Sequence, residues 1–185
     1  MFAALLADGA HLAGHSFGGV IALLAAALEP HAVRSLTVSE PGLLRIAAGD
    51  PHIDALIDQG EQLYAAGRTL PPQQFLRMFR AGLHSAHVTP DELPDWLENG
   101  ARLLARERPP WHADVPFDQL AAAPFPKLVI SGGHSAEWEL VCDTLAERIG
   151  AERAVIEGRM HTIPSVGAAY NERVEEFWLR AEAVR

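Results

Sequence analysis

Apolar positions change period twice within the first forty residues. Ala10 to His15 is a short apolar run ending in Gly14-His15-Ser16, after which Val20, Ile21, Leu23, Leu24 and Leu28 recur at helical spacing over Phe17 to Glu29. The local order is strand, sharp turn, helix. The Ala-rich start before Ala10 reads as the helix preceding that strand. Pro30 ends the second helix, Val33, Leu36 and Val38 mark a strand from Val33 to Ser39, and Pro41-Gly42 stops it.

From Leu43 to about Ala123 helical periodicity takes over and nothing reads as a strand. Ile53 to Ala66, Pro71 to Ser85 and Pro90 to Arg108 are the predicted helices, with Pro71 and Pro72 where a helix start tolerates proline. Strand character returns at Lys127 to Ser131, followed by Gly132-Gly133, a helix from Ala136 to Ile149 and a last strand from Arg153 to Glu157. A loop carrying His161 leads into a closing helix, about Val166 to Ala183, with Tyr170, Val174, Phe177 and Trp178 on its apolar face. Strands alternating with helices predict an α/β fold whose sheet is parallel, with about four strands. Three segments follow: 1–42, an all-helical 43–123, and 124–185. The helical segment reads either as a cap that carries specificity or as a layer covering the core.

Charge narrows the partners. Lys and Arg total 15 against 24 for Asp and Glu, a formal charge of −9, which disfavours an electrostatic grip on nucleic acid or anionic membrane. A small-molecule substrate is the expected partner. The single cysteine, Cys142, can form no internal disulfide, so a reducing compartment and a cytoplasmic location are expected. Met1 to Leu28 is rich in Ala and Leu, yet Asp8, His11, His15 and several glycines interrupt it and the first basic residue is Arg34. It therefore reads as protein interior rather than as a signal peptide or membrane span.

The chemistry begins at Gly14-His15-Ser16-Phe17-Gly18, which matches G-x-S-x-G. A nucleophile on a tight strand-to-helix turn needs little bulk two residues before and after it, so that strand and helix can approach. A serine hydroxyl is a poor nucleophile until a base takes its proton, and histidine titrates in the right range. Of nine histidines, His161 is the candidate base, because it lies after the last predicted strand and follows the serine in the chain. His15 is expected to shape the turn or line the pocket.

Ser16 in its glycine elbow, the strand and turn from Lys127 to Gly133, and the His161 loop together resemble the second half of the α/β-hydrolase superfamily. The likeness covers essentially the whole chain and is closest to capped members that hydrolyse small esters, thioesters or activated carbon-carbon bonds. It implies no cofactor. It also implies that the amide of Phe17, the residue after the nucleophile, donates to the oxyanion. The usual acid position, after the penultimate strand, holds Ser135 here. The resemblance offers a second position, the end of the strand after the elbow helix, which holds Glu40; Glu137 and Glu139 are the rival acids. Serine at the elbow argues against the family's dehalogenases and epoxide hydrolases, which attack with a carboxylate.

The expected activity is therefore that of a serine hydrolase acting on a small ester, thioester or related carbonyl through an acyl-enzyme. The alternative is a non-catalytic remnant, or a small-ligand-binding module needing a partner to complete its sheet. The resemblance places further strands and a second oxyanion donor ahead of the elbow, so the chain reads as a fragment or a mis-started reading frame. Its strand Ala10 to His15 would then be an open edge prone to self-association. His84 and His87 stand three apart, a spacing able to ligate metal, but with no third ligand in sequence no metal site is expected. Trp96, Trp111, Phe75, Phe79 and Met78 either line an acyl pocket or pack helices together.

Overall fold

The computed structural model describes residues 9–83, 85 and 87–183. The helix expected before Ala10 and the residue His84 lie outside the described residues. Strands β1 (Ala10–His15), β2 (Val33–Ser39), β3 (Lys127–Ser131) and β4 (Glu152–Val155) form one parallel sheet in the order β1-β2-β3-β4. The α/β class and the four-stranded parallel sheet expected from the periodicities are the architecture found. β1 lies at one margin, paired with β2 alone among the described strands.

Helix α1 (Phe17–Leu28) crosses from β1 to β2, and α6 (Ala136–Ile149) crosses from β3 to β4. Between β2 and β3 run α2 (Pro51–Gly67), α3 (Pro72–Gly82), α4 (Asp95–Leu104) and the short α5 (Phe117–Ala122), with no strand among the described residues, only an isolated bridge from Ser85 to Met160; α7 (Ala168–Ala183) is the last helix. Side chains alternate between the two faces of β3, which is buried throughout, and so divide the core. Val129 belongs to one buried cluster with Leu23, Leu36, Val38, Val141 and Leu145, while Leu128 and Ile130 belong to a second with Ile163, Val174 and Phe177 of the closing segment. A strand covered on both faces favours apolar residues along its middle, and Leu128, Val129 and Ile130 are fully buried between Lys127 and Ser131.

Helix limits follow local chemistry. Asp50 starts α2, its carboxylate accepting the His52 and Ile53 amides at 2.9 and 3.2 Å, and Pro51 fills the first position where no donor is needed. The helix expected from Pro90 starts only at Asp95, because Pro94 pushes the residue before it out of helical conformation. The closing helix starts at Ala168 rather than Val166, since Ile163–Val166 forms a 3₁₀ turn ended by Gly167 at φ 88°. The last strand spans Glu152–Val155, not Arg153 to Glu157. Beyond it Gly158, at φ 123°, turns the chain into the His161 loop. Helix α5 is too short to leave a periodic signature. Among the described residues no helix is long and apolar enough to cross a membrane.

Candidate active site

Ser16 occupies the bend between β1 and α1 at φ 54° and ψ −120°, a conformation costly for a residue with a Cβ. The bend is pinned from both sides. The Ser16 amide donates to Ser39 O at 3.0 Å, and the Gly42 amide donates to Ser16 O at 3.2 Å. A Cβ on Gly14 would stand 2.3 Å from the carbonyl oxygen of Gly18, whereas a Cβ on Gly18 would meet nothing within 4 Å. This corrects the expectation that both glycines are needed for lack of bulk, since the steric demand falls on Gly14. It also falls on Gly19, whose added Cβ would reach Pro41 Cβ at 3.0 Å. Gly14→Ala is accordingly expected to cost about 2–3 kcal/mol. Gly18→Ala, exposed in the first turn of a helix, should be neutral or mildly stabilising. Urea midpoints of the two variants against the parent protein would check this.

Three residues remote in sequence meet in one line of hydrogen bonds. The Ser16 hydroxyl lies 2.9 Å from His161 Nε2, and His161 Nδ1 lies 2.7 Å from Glu40 Oε2. With Nδ1 protonated and donating to the carboxylate, Nε2 is left as the acceptor of the serine proton. His161 is 2% exposed and Glu40 0%, while Ser16 is only half-buried and remains reachable. The second carboxylate oxygen, Oε1, accepts the Gly132 amide at 2.7 Å. Burial pushes the Glu40 carboxyl up to about 7, against the opposing pull of the Gly132 amide and of His134.

The rival acids are engaged elsewhere. Glu139 accepts from Ser131 Oγ at 2.7 Å and from the Gly133 amide at 3.0 Å, and pairs with Arg153 at 2.6 Å. Glu137 accepts from Ser135 Oγ, the residue at the family's usual acid position. Phe17, the expected oxyanion donor, is the first residue of α1, so its amide has no acceptor within the helix. Among the described residues, the non-glycine positions with positive φ are Ser16, Glu40 and Met160, the last directly before His161. Backbone strain, at about 1–3 kcal/mol per residue, is thus gathered where these three side chains meet.

The ring of His15 points back at His161. Its Nε2–H donates to the His161 carbonyl at 2.6 Å, and burial, followed by the adjacent His161 ring, lowers its pKa. Trp138, on the first turn of α6, stacks at a tilt against His161 with centroids 4.5 Å apart. Periodicity gave no hint of this contact. Trp138 also walls a cavity of about 700 Å³ between α2 and α3, together with Leu44, Leu63, Phe79 and Trp111. Of the aromatic and Met candidates, Trp111, Phe79 and Met78 line that cavity. Phe75 does not, being fully buried behind it, and Trp96 is 73% exposed on the surface of α4. Among the described residues, no group of three or more His, Cys, Asp or Glu is arranged to hold a metal ion.

A family model described as the alpha/beta hydrolase family matches residues 2–178. The chain belongs to that family. No curated protein matches it significantly. Among solved structures, it is similar to a carboxylesterase of the ammonia-oxidizing thaumarchaeon Nitrososphaera gargenis, at 14% identity and TM-score 0.66, over 100% of this chain and 71% of that one. It is similar to an alpha/beta hydrolase of Sphaerobacter thermophilus at 24% identity and TM-score 0.55, over 84% and 62% of the two chains. A proline iminopeptidase of Mycobacterium smegmatis aligns at 20% identity and TM-score 0.59, over 99% and 70%. At such identities the likeness is one of fold.

Proposed function

We propose that the chain is a serine hydrolase acting on a small ester, thioester or related carbonyl compound through an acyl-enzyme. The observation that carries this reading is the unbroken line from Ser16 Oγ through His161 to Glu40. In the proposed cycle Ser16 Oγ bonds to the substrate carbonyl carbon while its proton passes to His161 Nε2. Glu40 balances the imidazolium so formed, and the Phe17 amide donates to the oxyanion. Collapse breaks the bond to the leaving group, which takes the proton from His161. Water then repeats the sequence, releasing the acid and restoring the Ser16 hydroxyl.

The helical segment would act as the cap. Among the described residues its cavity has no Asp, Glu, Lys or Arg in its walls, and it meets the site through Trp138, which favours an uncharged, mainly apolar acyl group. The same cavity is what supports the second reading, a small-ligand-binding module without catalysis. A fluorophosphonate probe separates the two. It is expected to label Ser16, with labelling abolished by Ser16→Ala and strongly reduced by His161→Ala; well-folded protein that takes up no probe would overturn the hydrolase reading in favour of the binding module. Self-association along the β1 margin is also part of the proposal.

A further inference from the structure

The turn between β3 and α6 brings a second imidazole to the carboxylate that faces His161. His134 Nδ1 stands 3.3 Å from Glu40 Oε1, with side-chain exposures of 7% and 0%. The contact is at ion-pair distance rather than a directed hydrogen bond. Glu40 is therefore gripped through both oxygens: Oε2 by His161, Oε1 by the Gly132 amide with His134 beside it. Glycine is required for this convergence. A Cβ on residue 132 would fall 2.6 Å from Met160 O, 3.0 Å from His134 Nδ1 and 3.3 Å from Glu40 Oε1.

Nothing in the proposed cycle uses His134. If its Nδ1 carried a lone pair, two acceptors would face each other in a dry site, which is unfavourable beside an ionised carboxylate. A proton on Nδ1 removes that conflict and makes the ring a partner for the charge. We propose that His134 is a positioning residue for the hydrolysis, acting through Glu40: its protonated Nδ1 keeps the carboxylate ionised and turned so that Oε2 accepts from His161. The inference rests on the serine hydrolase reading above. The other charged or titratable groups facing Glu40 are His15 from the elbow, Glu139 and Cys142 from α6, and His161 itself, with Arg153 tied to Glu139 behind them.

The test is the pH profile of kcat/KM on a p-nitrophenyl ester for the parent, His134→Leu and His134→Asn. A cationic or donating neighbour lowers a carboxylate's pKa, so its removal must raise it. The acid limb in His134→Leu is expected to move up by about one pH unit with KM little changed, and His134→Asn, which returns an N–H donor, should move less. A uniform loss at every pH, or a limb that does not move, overturns the proposal. The low-field proton of the His161–Glu40 hydrogen bond, followed by NMR through the same pH range, reads the coupling without turnover. Its titration should shift in His134→Asn, and an unchanged titration also counts against the proposal. Fluorophosphonate labelling of the parent keeps the two ideas apart: labelling with an unmoved limb defeats only the role of His134, and absent labelling defeats the hydrolase reading.

Discussion

Ser16→Ala is expected to lower kcat on an activated ester by about 10⁴- to 10⁶-fold, with His161→Ala costing a similar factor and the double variant hardly more than either. The near-identity of the three rates matters more than any one of them. A hydroxyl and a base acting on the same proton form one device, and removing either half disables it, so the losses cannot add in free energy. Steady-state rates of the two single variants and the double, on one substrate, would check this. If the double variant instead lost the product of the two single losses, the two groups would be acting independently, and the 2.9 Å contact between them would have no part in the rate.

Glu40→Gln is expected to cost about 10³- to 10⁴-fold in kcat while leaving the fold intact, because an amide can hold the imidazole in the wrong tautomer and cannot balance its charge. The same variant carries a signature in stability. Burial places the folded-state pKa of Glu40 at about 7, above that of a glutamate in the unfolded chain. The folded protein therefore keeps a proton that the unfolded chain has already released. The resulting stability is fully present below about pH 4.5 and is lost as pH rises through about 7, a change of about 3 kcal/mol. Glutamine does not ionise. The stability of Glu40→Gln relative to the parent should thus improve across that interval, as urea midpoints between pH 4 and 8 would reveal. In activity the sign is opposite: the parent should lose rate as pH falls through about 7, the apparent value belonging to the His161–Glu40 pair.

Much of the scaffold was legible before any coordinates because period-two and helical repeats are local. The strands at 10–15, 33–39 and 127–131 lie where the apolar runs lie, and for the last two, buried almost throughout, a parallel strand has few ways to be written. Ser16 announces itself through Gly14, whose missing side chain is a steric necessity. His161 and Glu40 needed the family resemblance, which implies a base after the last strand and a second acid position past the strand after the elbow helix; that parallel strands deliver their ends to one edge of the sheet made the pairing reasonable. His134 and Trp138 were illegible for a related reason. Their partners lie far off in the chain, just past β2 and in the His161 loop, and no repeat or motif encodes a contact that only tertiary packing creates. Gly18 shows the converse, a motif letter whose absent side chain has room to be present.

The pairing of β2 with β3 sets Leu36 directly against Lys127, although the chain wanders through four helices between the two strands. That detour leaves the sheet just beyond Glu40 and rejoins it at a neighbouring rung, so its length is of no account to the strands themselves. In the proposed reading the helices along this detour would govern what enters, while Ser16, Glu40 and His161 stay held at the ends of the strands.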